Sequence, residues 1–168
     1  MDDPKSVTRD YVIEFDRSGP PLLSVYGGKL TTYRKLAETV VDMLAPALGH
    51  ASKSWTAATP LPGGDMPDAD FEAFLAQARV RHGWLAPALL HRYARAYGTR
   101  LDRMLAGCSK VTDLGEQVLP GLYAQEVIYL RAAEFARTAQ DILFRRSKLG
   151  VRLPAGSEKV LDEWLAQH

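Results

Sequence analysis

One cysteine in 168 residues, Cys108, excludes an internal disulfide and any all-cysteine metal site, and it fits a reducing compartment. The four histidines, His50, His82, His91 and His168, stand too far apart for ligand spacing, so no structural metal is expected. A surplus of either charge is missing as well. Lys and Arg total 21 against 20 Asp and Glu, and the formal charge of +1 gives no basic field to gather nucleic acid. No apolar run approaches the roughly 20 residues that cross a bilayer. Met1-Asp2-Asp3-Pro4 is acidic where a secretory leader would be basic, so a cytoplasmic chain is expected. Repeats of fixed period, which would point to a solenoid, are also absent.

What is present is the composition of an ordinary folded protein, with 46% hydrophobic and 24% charged residues. From Arg9 to Phe15, Tyr11, Ile13 and Phe15 alternate with Asp10, Val12 and Glu14, the period of a half-buried strand. Asp16-Arg17-Ser18-Gly19-Pro20-Pro21 is turn chemistry, and Leu22 to Tyr26 reads as a second strand. Two strands alone are marginal in water, which predicts a hairpin belonging to a larger sheet. After Gly27-Gly28, Leu36, Ala37, Val40, Val41 and Leu44 form the stripe of an amphipathic helix that Pro46 stops. Ser, Thr, Pro and Gly then dominate between Gly49 and Asp70, around Pro60-Leu61-Pro62-Gly63-Gly64. The expected organisation is hairpin plus helix over 1–48, a linker over 49–69 and a helical domain over 70–168.

The helical region carries its own punctuation. Asp70 is placed to cap a helix bearing Phe71, Phe74, Leu75 and Ala78 that ends before Gly83. Pro87 opens the next helix, which buries Leu89, Leu90, Tyr93 and Tyr97 and ends at Gly98. Thr99 is expected to cap a short helix, Arg100 to Ala106. The longest helical stretch runs from Leu122 to Lys148, with Ile128, Ala132, Phe135, Ala139 and Ile142 as its buried face. Glu134, Arg137, Asp141 and Arg145 form an ion-pair ladder on its other side. Thr138 with Asp141 also has the spacing of a capping box that would divide this stretch in two, and the pattern leaves both readings open. A last helix, Ser157 to Gln167, should bury Val160, Leu161, Trp164 and Leu165.

Chemistry concentrates in Leu23 to Arg34. A strand passing through Gly27-Gly28 straight into a helix leaves the first N–H groups of that helix unpaired and aimed at one spot. Such a spot favours anions or electron-rich oxygens. Lys29 adds a full charge there, and the Thr31 and Thr32 hydroxyls add donors. Strand-Gly-Gly-helix turns are also common as plain structure, so residues alone leave a structural turn and a phosphate or cofactor site both standing. The spacing is neither a Rossmann fingerprint nor a P-loop.

The strings Thr8-Arg9-Asp10-Tyr11 and Leu22-Leu23-Ser24-Val25-Tyr26-Gly27-Gly28-Lys29-Leu30-Thr31-Thr32-Tyr33-Arg34-Lys35-Leu36-Ala37-Glu38 closely resemble the last flavin-domain segment of aerobic glycerol-3-phosphate dehydrogenases. The likeness continues through Leu61-Pro62-Gly63-Gly64, Tyr93-Ala94-Arg95-Ala96-Tyr97-Gly98, and Glu126-Val127 to Arg145-Arg146-Ser147-Lys148-Leu149-Gly150. This resemblance implies a mainly α chain: a C-terminal helical domain preceded by the hairpin and helix of a truncated FAD-binding domain. It implies FAD contacts at Gly28, Lys29, Leu30, Thr31 and Thr32, where backbone amides face the pyrimidine side of the isoalloxazine ring. Lys29 and, more distantly, Arg9 are implied substrate-side residues. The family oxidises sn-glycerol 3-phosphate to dihydroxyacetone phosphate and passes electrons to quinone, peripheral to the inner face of the cytoplasmic membrane.

The glycine turn that would bind the FAD pyrophosphate does not occur in this sequence. The chain by itself is therefore expected to be inactive, without a catalytic residue of its own. A non-catalytic helical interaction module, or a homodimerisation element, is the alternative reading. Trp55, Trp84 and Trp164 read as core or domain-edge aromatics, Cys108 as a buried inert thiol, and Arg145, Arg146 and Lys148 as charges suited to a helix C-terminus.

Overall fold

A computed structural model describes residues 11–50 and 53–168. The candidate residue Arg9 lies outside the described residues. The chain divides into two compact units, Met1–Pro60 and Leu61–His168.

In the first unit, β1 (Tyr11–Asp16) pairs antiparallel with β2 (Leu22–Gly27), in a register that sets Tyr11 opposite Gly27 and Asp16 opposite Leu22. The expected alternation holds in β1, where Tyr11, Ile13 and Phe15 are half-buried and Val12, Glu14 and Asp16 exposed. Its turn is closed by Asp16, whose Oδ1 accepts from the Ser18 amide at 2.8 Å and the Ser18 hydroxyl at 2.7 Å. Those bonds, the amide first, hold the Asp16 carboxyl below the usual range. β2 leads through Gly27 and Gly28 into a short 3₁₀ turn, Leu30–Thr32, and then α1 (Tyr33–Leu44). Pro46 does not break the chain path outright: the α-helix ends at Leu44 and a 3₁₀ turn carries Ala45–Leu48 to Gly49 in the left-handed region. Among the described residues of this unit Glu38 alone is buried, so no apolar side chain here is fully removed from water.

The second unit contains the hydrophobic core. α2 (Phe71–Arg81) starts where expected, with the Asp70 carboxylate accepting the Ala73 amide at 3.0 Å, and buries Phe74, Leu75 and Ala78. α3 (Pro87–Tyr97) buries Leu90, Tyr93, Ala94 and Tyr97. A 3₁₀ turn over Gly98–Arg100 then leads into α4 (Leu101–Met104). Thr99 does not cap it as expected. Its hydroxyl donates to Asp65, and its amide donates to the Gly63 carbonyl at 3.1 Å, so it fastens the Leu61–Gly64 segment instead.

Of the two readings left open for Leu122 to Lys148, one helix or two, the continuous helix is absent. Leu122 belongs to a two-stranded antiparallel ribbon, β3 (Gln117–Leu119) and β4 (Leu122–Tyr123), turned by Pro120 and Gly121. α5 (Ala124–Ala133) follows and ends two residues before Phe135, which sits at φ +58. The capping box is what divides the stretch. Asp141 Oδ2 accepts the Arg137 and Thr138 amides at 3.0 and 3.1 Å, while the Asp141 amide donates to Thr138 Oγ1 at 3.2 Å. These contacts, the Arg137 amide first, hold the Asp141 carboxyl well below its usual range. A wide π-type turn over Asp141–Arg146 follows, with the Ser147 amide reaching the Ile142 carbonyl at 3.0 Å.

The change of direction splits the expected buried face. Ala139 and Ile142 are buried, but Ile128 is 53% and Phe135 84% exposed, and Ala132 is exposed as well. Of the ion-pair ladder only Arg145–Asp141 forms, at 2.7 Å. α6 (Ser157–Gln167) buries Leu161, leaves Trp164 and Leu165 half-buried, and leaves Val160 exposed, contrary to its expected inward place.

Candidate functional site

The chemically suggestive turn has the geometry that two successive glycines permit. Gly27 and Gly28 lie at φ +77 and +105, conformations that a side chain with a Cβ rarely adopts. A Cβ on Gly28 would meet only ordinary contacts, Leu36 Cδ2 and Tyr11 Cβ at 3.7 Å. The backbone angle, rather than crowding, is therefore what selects glycine at this position. Lys29 is extended at φ −108, ψ 146, and stands just before the first turn of helix.

The first hydrogen bond of that turn runs from the Thr32 amide to the Lys29 carbonyl at 3.0 Å. The N–H groups of Leu30 and Thr31 precede it and have no carbonyl to meet inside the helix. Thr32 also donates its hydroxyl to the Lys29 carbonyl at 3.0 Å, which leaves Thr31 as the hydroxyl free to reach outward. Gly28, Lys29, Leu30 and Thr31 are all exposed, Leu30 to 87%. Among the described residues no carboxylate lies within ion-pair distance of Lys29. The turn is thus an open edge that presents two amides, one hydroxyl and one ammonium.

Farther along α1 is a group that sequence reasoning missed. Glu38, 7% exposed, accepts from Arg34 Nη1 at 2.7 Å, Thr56 Oγ1 at 2.6 Å and Lys35 Nζ at 3.3 Å. The Thr56 hydroxyl is the leading cause holding its carboxyl below the ordinary range, with Lys35 and Arg34 acting the same way against burial. The i, i+4 spacing of Arg34 and Glu38 is visible in the sequence. Thr56 lies 18 residues farther on and carries no such signal.

The helical unit has a second polar centre. Glu126, with no exposed surface, accepts from Arg92 Nη1 and Nη2 at 2.7 and 2.6 Å and from the Tyr97 hydroxyl at 2.5 Å. Arg92 also donates to the Gly121 carbonyl at 2.6 Å and lies over the Tyr93 ring at 4.5 Å. Burial first, and then the Glu126 charge, drive the Tyr93 and Tyr97 hydroxyls far above their usual range. Neither hydroxyl ionises under ordinary conditions. The Cys108 thiol is half-buried and contacts the Asp113 carbonyl at 3.6 Å, and burial pushes it up, as suits an unreactive thiol. Trp55 is 64% exposed, so it is not a core aromatic. Among the described residues no group of three or more His, Cys, Asp or Glu side chains has the arrangement of a metal site, and no helix is long and apolar enough to cross a membrane.

A compact helical unit preceded by a strand–glycine–helix edge is the architecture against which known families can be compared. Residues 54–166 match the family described as the C-terminal domain of alpha-glycerophosphate oxidase, and the chain belongs to that family. Over nearly its whole length it is also similar to bacterial glycerol-3-phosphate dehydrogenases. It is 47% identical to the glycerol-3-phosphate dehydrogenase of Pseudomonas aeruginosa over 98% of this chain and 32% of that protein. With the aerobic glycerol-3-phosphate dehydrogenase of Escherichia coli the identity is 40%, over 99% of this chain and 34% of the relative. With the D-erythritol 1-phosphate dehydrogenase of Brucella abortus it is 40%, over 96% and 32%. The chain spans about a third of the length of these relatives.

Proposed function

We propose that this chain works as the C-terminal part of an FAD-dependent dehydrogenase that oxidises sn-glycerol 3-phosphate to dihydroxyacetone phosphate and passes the electrons to quinone. The observation that carries the proposal is the open edge at Gly28, Lys29, Leu30 and Thr31. It offers amide donors and a cation to one spot, on a path that only glycine allows. A flat, electron-rich ring edge suits such a spot, because no side chain projects from the two glycines and the helix terminus favours negative charge. When bound, FAD would supply the hydride and electron chemistry.

The residues of this chain would do the rest. The Leu30 and Thr31 amides would donate to the ring carbonyl, and Thr32 would hold the turn closed through Lys29. The Lys29 ammonium would face the substrate's phosphate or hydroxyl end, and Arg9 would add charge on the substrate side. The half-buried faces of β1 and β2, with no apolar side chain fully covered, support a hairpin that joins further strands. The chain alone would then neither hold FAD tightly nor turn over substrate. In the whole enzyme we place it at the cytoplasmic face of the membrane, peripherally attached, with homodimerisation through the helical unit as a second role.

The test is Lys29→Ala in the full-length enzyme. Loss of one preorganised donor lowers kcat/KM about 10- to 1000-fold, with the melting temperature unchanged because an exposed ammonium packs little. Turnover near wild type would reduce Lys29 to a turn residue, and a stoichiometric flavin spectrum from the 168-residue chain alone would overturn the division of labour. Parallel assays with D-erythritol 1-phosphate decide between the substrates named by the relatives.

A further inference from the structure

Beyond the flavin edge, the helical unit holds a cavity of about 150 Å³ lined by Pro62, Tyr97, Arg100, Leu130, Glu134 and Arg146. The C-terminal residues of α3 and α5 form two of its walls. Two guanidinium groups and one carboxylate line it, and the Asp65 carboxylate near Arg100 adds a second negative charge close by.

The ordinary explanation for arginines at helix ends is that they cap the last carbonyls. Here Arg146 plays that part with one nitrogen only. The Leu130 carbonyl accepts the Glu134 and Ala136 amides at 3.1 Å each, and the Glu134 carbonyl accepts Arg146 through Nε alone at 2.7 Å. Anchoring through Nε fixes the Arg146 plane and leaves both its terminal NH₂ groups to donate elsewhere. Among the described residues, neither Arg100 nor Arg146 lies within ion-pair distance of any carboxylate. Glu134 is engaged at Oε1 by the Tyr129 hydroxyl at 3.0 Å, and Arg100 stands beside that same hydroxyl.

From this arrangement we infer that the cavity is a binding site for a small oxyanion of the phosphate class, gripped between the Arg100 and Arg146 guanidinium groups. Two planar forks from different walls match a tetrahedral, multi-oxygen anion better than they match a flat carboxylate. The volume admits such an anion with a short substituent and little more, and Glu134 repels any larger accumulation of negative charge. The inference concerns the helical unit and does not depend on the flavin edge.

The experiment is a titration of the ¹⁵N-labelled 168-residue chain with inorganic phosphate, ionic strength being held constant with sodium chloride. Saturable shifts centred on Arg100, Tyr129, Glu134 and Arg146 are expected, with sulfate competing. Arg100→Gln or Arg146→Gln should weaken binding about 10- to 100-fold, the worth of one charge-assisted hydrogen bond. Arg100→Lys should retain part of it. Arg100 caps no carbonyl, so its variants keep the test readable if Arg146→Gln loosens the end of α5. Shifts scattered over the basic surface, a linear response without saturation, or equal affinity in Arg100→Gln would each overturn the site and leave an adventitious ion only.

Discussion

Glu126 has no exposed surface, and its value lies in how completely it is satisfied. Both oxygens are taken by Arg92, and one also by Tyr97. A buried pair of this kind contributes little net stability relative to a well-packed apolar pair, but removing one partner strands the other. Glu126→Ala should therefore cost about 3–5 kcal/mol, seen as a fall of roughly 15–20 °C in the melting temperature of the helical unit. The double variant Arg92→Met with Glu126→Leu should lose less than the single one. An equal loss in both would mean that the site matters for its volume and not for its charges. Sequence reading named Glu126 only as part of a matching string and Tyr97 as a buried helix residue, and it passed over Arg92, since Arg92 and Glu126 are 34 positions apart and belong to different elements.

At the scale of elements, local chemistry was legible and changes of direction were not. Asp70, Pro87 and the Thr138–Asp141 box act as their positions suggest, because a cap is a contact within four residues. The stripe Ile128–Ala132–Phe135 misled because periodicity assumes a continuous axis, and Phe135 in the left-handed region ends that axis. The β3–β4 ribbon escaped notice because its strands are three and two residues long, although Pro120-Gly121 marked its turn. In the candidate site the glycines and Lys29 could be read directly, whereas the Glu38–Thr56 contact could not.

The motif glycines of the helical unit have a different cause. Gly63 and Gly98 lie at φ +89 and +52, and a Cβ on Gly98 would overlap the Gly63 carbonyl oxygen. Backbone touches backbone here, with no flexible side chain to yield. Gly98→Ala should cost several kcal/mol, of the order of overpacking plus left-handed strain, and circular dichroism melts would register it. A melt within one degree of wild type would show that the Leu61–Gly64 segment is only loosely attached.

Across the whole molecule, apolar burial is concentrated in one unit. Among the described residues, all the buried hydrophobic side chains lie between Phe74 and Leu161. Amide exchange should accordingly be slowest in α3 and α5 and fastest in the β1–β2 hairpin, since protection follows buried apolar contact. Slow exchange in the hairpin of the isolated chain would contradict this distribution. Among the described residues the first unit has no fully buried apolar side chain, which bears on cooperativity. The two compact units need not melt at one temperature, and a single free energy of unfolding is not defined for such a chain. Helical ellipticity will follow the second unit, while a signal from Trp55, the one tryptophan of the first unit, will follow the hairpin and α1. Stability changes at Glu126 and at Lys29 are therefore different quantities and cannot be placed on one scale.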